Sequence, residues 1–116
     1  SENSYERIGE HKAPKFICWG TQNRSSIICV PAKKTGQKIQ IRSSDSNCNV
    51  YIAFTLLIYA ALDGIKNNLQ PPAPTELNLF DSTVAKTSGF ETIPDTLPEA
   101  KSAAANSDFV KQYIKF

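Results

Sequence analysis

The chain predicts an α+β fold: a small antiparallel sheet of about three strands, packed with one long buried helix and short C-terminal helices. Three observations carry this reading. Short β-rich apolar runs crowd residues 15–42, apolar side chains dominate a helical stretch over 50–67, and two shorter helical patterns close the chain. One domain suits 116 residues, and 41% hydrophobic residues suffice for a core.

The elements follow in order. Residues 15–20 are apolar and end at Gly20; residues 25–30 are again β-rich and stop at Pro31. Residues 32–36 read as a turn. Lys38-Ile39-Gln40-Ile41-Arg42 alternates polar and apolar, as a half-buried strand does. Short connections between the three runs favour an antiparallel meander. Residues 43–47 are a loop by composition, and Asn49 can cap the helix that follows. The apolar residues of that helix wrap most of its circumference, which places it buried on more than one side. Within a single domain over 1–116, the sheet region is 1–45, the long helix 49–68, an irregular linker 69–95, and short helices 96–116. Two helices are expected within that last part, over 97–105 and 108–114, the second capped by Ser107 or Asp108.

Composition narrows the function. Thirteen basic against eleven acidic residues give a net charge of +2, which points to neither nucleic acid nor membrane as partner. No apolar run is long enough to span a bilayer, and the polar, acid-bearing start is not a signal peptide. Without an initiating Met the chain reads as processed or cut from something longer. Cys18, Cys29 and Cys48 form no C-x-x-C pair and have no zinc spacing, so a reducing, cytoplasmic setting is expected. His11 is the only histidine, which excludes a histidine pair or triad, and no Gly-rich phosphate loop is present. Arg24, Lys33, Lys34, Lys38 and Arg42 gather cations on and between strands. Such cations can hold phosphate or carboxylate, and they equally describe a solvated sheet face.

A set of motifs in order goes further. The chain carries Asn3-Ser4-Tyr5-Glu6-Arg7, then Lys12-Ala13-Pro14, Asn23-Arg24-Ser25 and Ile39-Gln40-Ile41-Arg42. Asp45-Ser46-Asn47-Cys48-Asn49-Val50-Tyr51, Leu62-Asp63-Gly64-Ile65-Lys66-Asn67 and Leu77-Asn78-Leu79-Phe80 follow, and Leu97-Pro98-Glu99-Ala100 precedes Phe109-Val110. In this order the set resembles the C-terminal part of the glutamine synthetase catalytic domain, over nearly the whole chain. The resemblance implies ATP-dependent joining of ammonia to the glutamate side chain, with ATP and magnesium or manganese as cofactors. It also implies an oligomer whose active site lies between subunits.

Carried over by position, the resemblance assigns substrate binding to Arg7, Arg24 and Arg42, and nucleotide phosphate contact to Arg24 and Lys38. It also marks departures. The family's flap glutamate is Lys12 here, which cannot act as the same base near neutral pH. Its metal-binding glutamate is Gln40, a much weaker ligand, so no metal ligand is assigned. A phosphate-contacting arginine is Cys29, and a tyrosine modified in some bacterial members is Phe80. The family's β-grasp domain and the acid-rich first half of its catalytic domain have no counterpart in this sequence. Three readings follow. The first is a catalytically degenerate, glutamine synthetase-related domain that keeps anion, nucleotide or glutamate binding. The second is a segment of a glutamate–ammonia ligase completed by another chain or further sequence. The third is a structural or interaction module. A homo-oligomer or a complementary chain is the expected partner.

Overall fold

The computed structural model describes residues 1–9, 13–32 and 36–115. A 3₁₀ turn at Glu2–Tyr5 opens the chain. Strands β1 (Phe16–Thr21), β2 (Ser26–Val30) and β3 (Gln40–Ile41) form one sheet in the order β1-β2-β3. Helices follow: α1 (Val50–Lys66), α2 (Ser82–Ser88), α3 (Leu97–Asn106) and α4 (Asp108–Tyr113). The α+β class therefore stands, and the expected turn over 32–36, with Lys33 and Lys34, falls mostly outside the described residues.

The antiparallel meander is corrected to a mixed sheet. β2 and β3 are antiparallel, pairing Ile28 with Ile41 and Cys29 with Gln40, whereas β1 and β2 run parallel, pairing Trp19 with Ile28 and Thr21 with Val30. Parallel neighbours ordinarily need a crossover of a dozen or more residues; here the link is the short stretch between Thr21 and Ser26. It doubles back because Gln22 takes a left-handed backbone (φ 58) and because Gly20 lets the link lie against β1. A Cβ at Gly20 would overlap the Thr75 carbonyl oxygen and stand 2.8 Å from the Asn23 Cβ.

The outer edge of β1 is covered: Ile17 N–H donates to Glu91 (2.7 Å), Ile93 N–H to Lys15 (2.9 Å) and Thr75 N–H to Trp19 (2.9 Å). The core sits on one face of the sheet and at the β1–β2 link, comprising Ala13, Cys18, Ile27, Cys29 and Leu79 with Ser25, Ser26 and Thr75.

Each of the four described α-helices begins with a side-chain cap. Asn49 accepts from the amides of Tyr51 and Ile52, Asp81 from Thr83 and Val84, Thr96 from Glu99, and Ser107 from Val110. The stretch 69–95, expected to be irregular, contains α2, a short helix closed by Gly89 in the left-handed region (φ 73). The larger correction concerns α1. It forms where expected, but none of its residues is buried, and its contact with the C-terminal helices is a small aromatic cluster. Tyr59 stacks on Tyr113 at 4.0 Å, and Phe109 meets Tyr113 edge-on at 5.1 Å. Apolar character all round a helix reports what it prefers to touch; the described residues supply too little to cover it.

The described chain exposes 8845 Å², against roughly 6,300 Å² for a compact monomer of this mass. No described helix is long and apolar enough to cross a membrane.

Candidate functional site

The link between β1 and β2 holds the chain's densest polar construction. Asn23 donates through Nδ2 to the carbonyls of Thr75 (2.9 Å) and Leu77 (3.0 Å). Its Oδ1 accepts from the Ser25 amide (3.1 Å) and lies 2.6 Å from the Ser25 hydroxyl. Ser25 Oγ in turn accepts from the Leu79 amide at 2.9 Å. The Ser26 hydroxyl lies 2.6 Å from the Asn23 carbonyl and 2.8 Å from that of Ile28, and the residue is 0% exposed. Two segments far apart in sequence, 23–26 and 75–79, are thus stitched together by groups whose hydrogen-bonding capacity is filled.

Arg24 stands exposed on this stitched link. It borders an open depression of about 410 Å³ together with Gln22, Glu76, Asn78 and Phe80. A guanidinium presented from a fixed backbone can take a phosphate or carboxylate in bidentate fashion, here against the opposing charge of Glu76 on the same lining. The departure at Phe80 therefore lies at the rim of the same depression.

Arg7 is committed differently. Its Nη2 donates to the carbonyls of Ser44 (3.0 Å) and Ser43 (3.4 Å), and its Nε lies 3.9 Å from Asp45 Oδ2. These contacts fasten the N-terminal segment to the loop directly after Arg42. The Asn47 backbone amide, foremost, holds the Asp45 carboxyl below the usual carboxylate range; hydroxyls of Ser4 and Ser46 and the Arg7 charge add to this.

The remaining assigned positions fall on β2, β3 and the extended approach to β3. Cys29, 2% exposed, pairs with the exposed Gln40 across the two strands. Lys38 is exposed, and Arg42 is half-buried with its amide donating to the Ile27 carbonyl at 2.8 Å. Lys12 lies outside the described residues.

The structure pairs Gln40 with Cys29, leaves Lys38 and Arg42 on either side of the two-residue strand, and sets Arg7 against the loop that follows. Arg24 belongs to a separate feature, the link. A divalent ion would need hard oxygen ligands. The group at the expected position is an amide, and among the described residues no three His, Cys, Asp or Glu side chains gather as a metal site requires. The donor set does not fit such an ion, and no chemical step is assigned to one.

Sequence reasoning quoted Asn23 and Ser25 only as the flanks of Arg24, with no role of their own, and missed Thr75. The available signal was an asparagine heading a turn with serines two and three residues on, an Asx-turn pattern.

A solved structure of a GmaS/ADP complex matches 97% of this chain and 23% of that chain, with a TM-score of 0.74; at 20% identity the likeness is one of fold. A family model described as glutamine synthetase, catalytic domain, matches residues 1–115, and the chain belongs to that family. Among curated relatives, the glutamine synthetase of Methanosarcina mazei is 40% identical over 97% of this chain. That of Thermotoga maritima is 37% identical over 93%. The chain spans 26% of the length of each of these relatives.

Proposed function

We propose that this chain keeps an anion-holding part of a glutamine synthetase-type site without independent glutamate–ammonia ligase activity. One observation carries the reading. Across β2 and β3 a buried thiol, Cys29, faces an exposed amide, Gln40, where the family resemblance puts a phosphate-contacting arginine and a metal-binding glutamate. Each replacement removes a charge that phosphoryl transfer to glutamate draws on. The cations assigned to substrate and nucleotide, Arg24, Lys38 and Arg42, remain, and the ligands proposed for them are ATP and glutamate.

Isothermal titration of the chain with ATP, with and without magnesium and with and without glutamate, beside an assay of glutamine formation, tests this. Heat on ATP addition in EDTA, no weaker than with magnesium, together with no glutamine formed, is the expected result. Glutamine made by the purified chain would overturn it.

A second reading has its own support. The uncovered α1 and the 26% span of the relatives favour a segment whose missing carboxylates come from another chain or from further sequence. Ligase activity that appears only when the remainder of a glutamine synthetase is added would establish it. The Arg7–Asp45 pair favours a purely structural role for Arg7, as an interaction module would have. A homo-oligomer or a complementary chain fits the exposed helix, and three free cysteines fit a reducing, cytoplasmic setting.

A further inference from the structure

We infer that Asn23 is a positioning residue: it sets the affinity of Arg24 for an anion by locking the β1–β2 link onto residues 75–79. This rests on the anion-binding reading of Arg24 given above. Both hydrogens of the Asn23 amide are donated, to Thr75 and Leu77, and its oxygen accepts from the Ser25 amide beside the Ser25 hydroxyl. A side chain with both donors and its acceptor used tolerates one orientation only. That orientation fixes the backbone on either side of Arg24. The left-handed turn at Gln22 bounds it before, and the fully buried Ser26 bounds it after.

The same contacts fix the opposite wall of the depression. Thr75 and Leu77 flank Glu76, and the Leu79 amide held by Ser25 Oγ precedes Phe80. Gly20 completes the lock, since any side chain there would strike the Thr75 carbonyl. Arg24 and the wall it faces therefore hold one separation through Asn23. Ordering a long guanidinium side chain costs entropy on binding, and a fixed backbone reduces what remains to be ordered. Asn23 itself lines the depression, but both of its amide hydrogens are already committed to backbone carbonyls.

The test is a double-mutant cycle read by titration with ATP in EDTA, on the full chain at a temperature where each variant is folded by circular dichroism. Asn23→Ala should weaken ATP binding about tenfold. In an Arg24→Lys background, which keeps the charge and loses the fork, the same change should cost little further, because the benefit runs through the guanidinium. Tyr113→Ala, which removes the stack on Tyr59 away from the link, should lower Tm and leave the affinity of the folded chain unchanged. If Asn23→Ala does not fold, Asn23→Ser serves in its place: its hydroxyl keeps an acceptor for the Ser25 amide, adds no charge and cannot make both donations, and it should weaken binding by a smaller factor.

Equal losses from Asn23→Ala in the wild-type and Arg24→Lys backgrounds would overturn the inference. So would a loss no greater than that of Tyr113→Ala. ATP binding that survives Arg24→Lys and Arg24→Ala undiminished would overturn it as well, by removing Arg24 from the site. The absence of ATP binding in the unmutated chain would instead defeat the anion-binding reading itself, and the inference with it.

Discussion

Asp45 sits where three kinds of partner meet its carboxylate: a backbone amide at 2.6 Å, serine hydroxyls and a guanidinium at 3.9 Å. All favour the charged form, so its folded pKa lies below the unfolded one. The stabilisation is present above about pH 4, the ordinary carboxylate value, and is lost as pH falls through the lowered one. Unfolding midpoints followed from pH 7 to pH 2 should fall with acid, and Asp45→Asn should flatten part of that fall. An unchanged acid limb would remove Asp45 from the account. The thiols make a second case. Burial pushes the Cys18 pKa up, and Cys29 is buried while Cys48 is half-exposed. A thiol reagent at neutral pH should label Cys48 first, and Cys18 and Cys29 at the rate of unfolding. At this scale the sequence showed which cations were present and which expected acids were missing. It did not show that Asn23 organises the link, because that depends on carbonyls more than fifty residues away.

Helix starts were legible where a capping residue precedes an apolar run: Asn49 and Ser107 cap as expected. Asn49→Ala should cost about 1 kcal/mol, measured by denaturant unfolding. The short helix α2 was missed because it lacks an apolar stripe; only its Asp81 cap and Gly89 terminus announce it. The parallel pairing of β1 with β2 was missed for a different reason. Connection length argued for a hairpin, and what reverses the direction is local: a left-handed Gln22 and a glycine that admits Asn23 and Thr75. Gly20→Ala should accordingly destabilise by about 3 kcal/mol or more, since the obstacle is backbone rather than a movable side chain. Full stability of that variant would show that the link can move aside.

Along α1 the residues Tyr51, Phe54, Ile58, Leu62 and Ile65 recur at helical spacing, with exposures of 83%, 61%, 58%, 52% and 78%. A stripe of that size in water binds apolar dyes and promotes association. The chain on its own should therefore enhance ANS fluorescence and sediment above its 12.8 kDa mass. Phe54→Lys with Ile58→Lys should reduce both signals and change unfolding free energy by about 0.5 kcal/mol or less, as exposed positions do. A monomer with no dye binding would show that the helix packs more closely than its exposures indicate. The sequence reported the apolar character of this helix faithfully. Its exposure was not legible, because burial depends on what packs against a helix, and no residue of α1 is buried by the described residues.

Trp19 donates its indole N–H to the Pro72 carbonyl at 2.6 Å, and it is the only tryptophan in the chain. Its fluorescence therefore reads out one attachment, that of the proline-bearing segment to β1, undiluted by any other indole. Detachment of that segment would hydrate the ring and shift its emission to the red while the helices still register by far-UV circular dichroism. The molecule thus carries its own optical label beside the residues that hold Thr75 against the sheet.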